Sequence, residues 1–394
     1  MIANGTIGED HNIGSRVAYW RMRRGKSQRV LAGLAGLSQP YLSQIESGKR
    51  PVERRTTLVA LANALRVSVA DLTGQPGDPT DPAKSAAAMS VPAIREALIR
   101  REFGEIGEVG EPGLELARLM DAGGAYDFTT AAPMLPGLLA GLRGSDLVQA
   151  AHIGVYTLKH LGYADLARDA ARLAVTEARD LGEPAWIGIA EFIRILAMPP
   201  EMPGVPTSLA QRVSDEIQPH IGDDQVRQAY GMLHLHASLR AAVDRRADLS
   251  RDHLREAREA AESLGEPENL GLARFAFGPT NVGFWTVAIQ LELGEPRLAL
   301  ETAKVVAPGK IPLANRQSPF FADVGTAMAN VGGRDNEAVA AFLRAEAAGP
   351  QWIRLQPRIK DTIASILRRT RRNAISKQMR QAAVSVNLHE MVRD

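Results

Sequence analysis

Ser27-Gln28-Arg29-Val30-Leu31-Ala32-Gly33-Leu34-Ala35-Gly36-Leu37-Ser38-Gln39-Pro40-Tyr41-Leu42-Ser43-Gln44-Ile45-Glu46-Ser47-Gly48-Lys49-Arg50-Pro51 is the stretch that decides how the chain begins to fold. Ser27 stands where a helix needs an N-cap, because its hydroxyl can accept from a backbone N–H of the first turn. Gly36 ends that helix after Ala35, and Ser38 caps the next, which stops before Gly48. Val30, Leu31 and Leu34 are expected inward from the first helix, Leu42 and Ile45 from the second, with Ala32 small enough for a close crossing. Helices of about eight residues are not stable alone, so neighbours must pack on them. Upstream, Ile13, Val17 and Trp20 fall at i, i+4 and i+7, one face of a helix ending near Arg24. Downstream, residues 56–65 read as a fourth helix, and Val69 to Leu72 begins a fifth. A capped helix, a glycine corner and a second capped helix form a helix-turn-helix.

The residues left outside this bundle are Gln, Ser, Lys and Arg. A recognition helix enters the major groove by its N-terminal end, so its early exposed side chains reach base edges. Gln39 and Gln44 fit that role, since a glutamine both donates to and accepts from adenine. Ser27 and Gln28, at the start of the preceding helix, are placed to hold phosphate. Ser38, Tyr41 and Ser43 share the recognition helix, and Lys49 and Arg50 follow it along the backbone. These nine residues are the candidate DNA contacts.

The quoted motif closely resembles the Xre/Cro/phage-repressor family of DNA-binding domains, over roughly residues 13–74. The resemblance implies a five-helix, lambda-repressor-like domain with base-reading positions at Gln39 and Gln44. It also implies that Glu46 is architectural, paired with Arg21 and kept off the DNA face. Pro40 departs from the polar residue usual there, at little backbone cost in a first turn.

The 394 residues fit two or three domains. With 45% hydrophobic, 23% charged and only 5% aromatic residues, and no period-2 run, the expectation is an all-α chain with a real core. The absence of cysteine excludes disulfides, thiolate metal sites and cysteine nucleophiles, and suits a cytoplasmic location. Glu9 and Asp10 precede any apolar run, so neither a signal peptide nor a membrane partner is expected. The net charge of +2 hides an uneven distribution. Residues 1–76 are basic (Arg16, Arg21, Arg23, Arg24, Lys26, Arg29, Lys49, Arg50, Arg54, Arg55, Arg66), residues 354–394 are basic again, and the middle is acidic. A basic head matches a polyanion such as double-stranded DNA; the basic tail reads as a solvated helix face.

Three domain segments follow: residues 1–74 as the helix-turn-helix head, 75–90 as a linker rich in Gly, Pro and Asp, and 91–394 as a helical array. Gly162…Ala167, Gly294…Ala299 and Gly333…Ala338 each place a corner glycine five residues before a small crossing residue. Leu-Gly-Glu-Pro recurs at Leu181, Leu264 and Leu293, setting a C-cap glycine two residues before a first-turn proline. These features resemble divergent tetratricopeptide-type repeats. The whole chain resembles actinobacterial-type Xre regulators with a tetratricopeptide-like C-terminal domain, and Phe277-Gly278-Pro279-Thr280-Asn281-Val282 is reminiscent of peptide-sensing quorum regulators.

That resemblance implies a homodimeric transcription regulator answering to a peptide or small-molecule effector. Tyr230, His234, Arg274, Asn281 and Trp285 mix aromatic, amide and basic groups and are the candidate effector residues; Trp285 as a core residue and Asn281 as a corner cap is the other reading. The alternative function is an interaction protein, antitoxin- or anti-sigma-like, that DNA binding merely localises. His152, Tyr156 and His160 share a helix face, but the two histidines would stand ~12 Å apart. Neither they nor any phosphate-loop, GxSxG or His-Glu-x-x-His pattern supports a metal, a cofactor or an enzyme.

Overall fold

Helices α1 (Ile13–Arg23), α2 (Gln28–Ala35), α3 (Gln39–Glu46), α4 (Arg55–Leu65) and α5 (Val69–Thr73) form the head. A computed structural model of the protein describes residues 13–74, 82–370 and 374–392, with no strand among the described residues. The local signals act as their chemistry dictates. Ser27 Oγ accepts from Val30 N at 3.2 Å and Ser38 Oγ from Tyr41 N at 3.3 Å. Gly36 takes the left-handed conformation, φ 63°, that turns α2 towards α3. Ile13, Val17, Leu31, Leu42, Ile45, Leu61, Leu65 and Leu72 close a small core separate from that of the array. Two inward expectations fail. Val30 and Leu34 are 50% and 59% exposed, because a helix this short buries one narrow face, and Leu31, Ala32 and Ala35 occupy it.

The array starts earlier than residue 91. Pro82–Ala88 is α6, inside the expected linker, and its Ala87 is buried in the array core; residues 75–81 lie outside the described residues. Then come α7 (Val91–Glu102), α8 (Pro112–Gly124) and α9 (Phe128–Gly141). Five helical pairs follow: α10 (Gly144–Leu161) with α11 (Ala164–Leu181), α12 (Pro184–Ala197) with α13 (Val205–Ile217), α14 (Asp224–Val243) with α15 (Ala247–Leu264), α16 (Pro279–Leu293) with α17 (Pro296–Val305), and α18 (Ala314–Val331) with α19 (Asp335–Ala348). α20 (Pro350–Arg354), α21 (Pro357–Arg369) and α22 (Lys377–Ser385) complete the helices. The crossing residues Ala167, Ala299 and Ala338 are all buried. At Gly182–Pro184 and Gly294–Pro296 the glycine is left-handed and the proline opens a helix.

At Leu264-Gly265-Glu266-Pro267 the expectation fails. Pro267 is extended (φ −74°, ψ 139°) and the chain runs on without an α-helix to Pro279. We call residues 265–278 the strap. It folds inward: Phe275, Ala276 and Phe277 have no exposure.

The head is docked on the array. Glu292, at the C-terminal end of α16, accepts from Thr56 N (3.2 Å), Thr56 Oγ1 (3.3 Å) and Arg55 Nη1 (3.3 Å), and so caps α4. Helix α21 lies along the segment after α3. Asp361 Oδ2 accepts from Val52 N (3.0 Å), Ser365 Oγ donates to the Lys49 carbonyl (3.3 Å), Arg368 donates to the Gly48 carbonyl (2.6 Å), and Arg358 donates to the Glu53 carbonyl (2.7 Å). On the other flank Arg245 donates to the Ala35 carbonyl at 3.0 Å. The tail is therefore more than a solvated face: Arg358 and Arg368 fasten the head, while Arg354 and Lys377 are exposed.

Candidate nucleic-acid interface and the channel of the array

Docking uses the back of the head and leaves α3 open. Ser27, Ser38, Gln39, Gln44, Lys49 and Arg50 are exposed, and Gln28, Tyr41 and Ser43 are half-buried. Gln39 sits in the first turn of α3 and Gln44 in its last turn. Arg50 lies over the Tyr41 ring, 4.7 Å from its centroid, so the ring fixes a cation beside the recognition helix. Glu46 forms the ion pair with Arg21 that the resemblance implied, in fork geometry at 2.6 and 2.9 Å. Its second oxygen also accepts from Gln28 Nε2 at 2.8 Å, so Gln28 is held at the base of α2 with its amide oriented by Glu46.

The positive charge of the head is smaller on this face than composition indicates. Arg21 is neutralised by Glu46 and Arg55 faces Glu292, while Arg24 keeps its charge and donates to the Leu65 carbonyl. Arg23, Arg29, Lys49, Arg50 and Arg66 remain exposed. Sequence reasoning missed the role of Arg55, because its partner lies 237 positions away.

The joint between head and array holds groups whose ionisation burial has shifted. Glu53 is pushed up to about 7, burial outweighing Arg50, Arg369 and Arg54 nearby. Burial likewise raises Asp361 and Asp323 to about 6, and lowers Arg358 to about 10.

The five candidate effector residues do not converge on one groove. Tyr230 and His234 stack on each other in α14 and bond to α15, Tyr230 through Glu256 and His234 through His253. Trp285 is half-buried, its ring 6.0 Å from that of His236. Arg274 pairs with Asp121 and lines a cleft of about 450 Å³ together with Leu313 and Gln317. Asn281 has no exposure; its Nδ2 donates to the Phe275 carbonyl at 2.9 Å, so in this conformation it holds the strap. The buried pair His234–His253 carries no carboxylate ligand, and among the described residues no cluster of His, Asp or Glu could hold a metal.

Strap backbone is unusual. Asn269, Leu270, Ala273, Arg274 and Ala276 all have positive φ, between 48° and 68°. Left-handed backbone costs a side-chain-bearing residue roughly 1–2 kcal/mol, so the strap persists only because its anchors over-determine it. Phe277 fills a notch above Gly231, where a Cβ would lie 1.9 Å from the ring. Leu272 N donates to Gln228 Oε1 (2.8 Å), and Glu266 accepts from Thr280 to cap α16. Phe275 stacks on His152 (ring centroids 4.5 Å apart) and meets Phe192 edge-on at 5.2 Å.

Residues 12–73 match the model of a family described as a helix-turn-helix domain. The match covers the head and leaves the array unassigned. No curated protein matches the chain. No helix among the described residues is long and apolar enough to cross a membrane.

Proposed function

We propose that this protein is a cytoplasmic, sequence-specific DNA-binding transcription regulator of the Xre type. Two copies, joined through their tetratricopeptide-like arrays, present two recognition helices to an operator of two half-sites, and an effector bound by the array adjusts that presentation. The observation that carries the DNA-binding reading is the orientation of the head: its back is fastened to the array, while Gln39, Gln44, Lys49 and Arg50 face solvent. The reading of the effector rests on shared elements. Helix α16 runs from Asn281, which holds the strap, to Glu292, which caps the head. A displacement at one end of a helix is felt at the other, and an effector acts only through its different affinity for the two arrangements. This is binding chemistry; no catalytic step or cofactor is assigned.

Selection of a preferred duplex by the purified protein, followed by titration, tests the reading. Gln44→Ala should cost about 1–3 kcal/mol on the selected duplex and little on random DNA. Lys49→Ala should weaken both and lower the salt slope by about one. An unchanged specific-to-random ratio in Gln44→Ala removes α3 as the reading helix. Sedimentation of full-length protein as a monomer at concentrations that saturate the duplex removes the dimer.

A further inference from the structure

Arg316, on α18, is 7% exposed, yet among the described residues no carboxylate lies within ion-pairing distance of it. Its Nη2 donates to the Phe275 carbonyl at 3.3 Å, and its Nε has no protein partner. A buried guanidinium ordinarily finds an anion. Here it has a neutral carbonyl and the face of the Phe275 ring, 5.8 Å from its guanidinium carbon, both supplied by the strap with its five left-handed side-chain-bearing residues. Around it the chamber holds further unmet polarity: both ring nitrogens of His152 and Oδ1 of Asn281 are buried without a protein partner. Burial, with the Arg316 charge nearby, lowers His152 to about 3, so its ring is neutral. Phe275 thus behaves as a ligand would: its ring lies between His152 and Phe192, and its oxygen takes hydrogen bonds from Asn281 and Arg316. The cleft lies on the other side of the strap. Arg274 lines it and the next residue, Phe275, fills the chamber; Gln317 lines it and the preceding residue, Arg316, faces the chamber.

We infer that the chamber occupied by Phe275 is a binding site for a carboxylic acid bearing an aromatic ring, and that the strap is its displaceable occupant. The ring of the ligand takes the place of the Phe275 ring. Its carboxylate takes the place of the Phe275 carbonyl oxygen and neutralises Arg316, which the peptide carbonyl does not do. The left-handed residues Asn269, Leu270, Ala273, Arg274 and Ala276 relax when the segment swings into the cleft, and this relief offsets the loss of its contacts. The inference deepens the effector reading above and names the chemistry of that effector: an aryl-alkanoic acid or the C-terminal aromatic residue of a peptide.

The test uses the full chain without DNA, so its failure is distinct from a failure of DNA recognition. Thermal melts are compared with 3-phenylpropionate and with its amide, and in parallel with N-acetylglycylphenylalanine and its amide. Binding to the native chain raises the melting temperature with ligand concentration. The acid should bind roughly ten-fold tighter than the amide, and the pair that shows the larger preference identifies the small acid or the peptide terminus as the source. Arg316→Gln should erase the preference, and trypsin should cut after Arg274 faster in the presence of the acid. If Arg316→Gln does not fold, the acid–amide comparison and the Arg274 cut on the unmodified chain decide by themselves. No preference for the acid over the amide overturns the inference. Binding seen only in Phe275→Ala also overturns it, because the strap would then be fixed core.

Discussion

Leu181-Gly182-Glu183-Pro184 and Leu264-Gly265-Glu266-Pro267 are the same four residues, and they make two different structures. At the first, the chain stops one helix and starts the next; at the second, it stops a helix and enters the strap. Both glycines are near φ 73°, but Gly182 has ψ 6° and Gly265 has ψ −162°, so the paths diverge within one residue. What differs lies beyond the tetrapeptide. Ala185 and Ile189 follow the first proline and bury one face of α12. The second is followed by Glu268-Asn269-Leu270-Gly271; burial resumes only at Leu272 and Ala273, and the ring anchors arrive at Phe275 and Phe277. Helix ends are written locally; helix starts depend on whether the next residues have somewhere to pack.

That contrast can be broken experimentally, and the deepest anchor should matter most. Phe277→Ala empties the notch over Gly231 and should cost about 3–5 kcal/mol in chemical unfolding. A cost below about 1 kcal/mol would mean that the strap is held by its ends. Next, Glu292→Ala leaves Arg358 and the N-terminus of α4 without their carboxylate and should cost about 3 kcal/mol. Because the head has its own core, calorimetry should then resolve a separate head transition; a single unchanged transition would show that α16 does not hold the head.

Glu53 gives a smaller effect with a definite sign. A carboxyl raised from its ordinary value near 4.5 to about 7 favours the folded state most when protonated. Its contribution is complete below about pH 4.5 and lost as pH rises through 7. Glu53→Gln should therefore flatten the decline in melting temperature between those values and stabilise the protein at pH 8 by about 1–3 kcal/mol. An unaltered pH profile would place the shift elsewhere in the joint. Smallest is the direct test of the tetrapeptide. Glu266→Gln should cost about 1 kcal/mol, because it weakens the cap on α16. The equivalent Glu295→Gln, whose partner Arg251 is solvent-exposed, should cost a few tenths. Equal costs would erase the distinction between the two kinds of corner.

The same division explains what could be read from the sequence. Ser27, Gly36 and Ser38 act within a few residues of themselves, so the head was legible, and the Arg21–Glu46 pair came with the family pattern. The all-α class and most corners of the array were legible for the same reason. Val30 and Leu34 are apolar yet exposed, because the buried face of an eight-residue helix is too narrow to take them. The docking of the head was not legible: Glu292, Arg358 and Arg368 carry no local mark of a partner hundreds of residues away. The candidate effector set does not converge on a groove because the strap, which Asn281 holds and whose Phe275 fills the chamber, has no periodicity to announce it.

The clasp of α21 on the head has a consequence for synthesis. Val52 waits for Asp361, 309 residues later in the chain. Growing at ~5–20 residues per second, a nascent chain carries a folded head for roughly 15–60 s before its clasp emerges from the ribosome. During that interval the head lacks its α21 contacts and is held only by the anchors that have already emerged, Arg245 and then Glu292. A nonsense mutation after residue 74 and before residue 357 makes the interval permanent. Such truncation alleles should keep a folded helix-turn-helix head without its clasp rather than behave as simple nulls, provided that the remaining array escapes proteolysis.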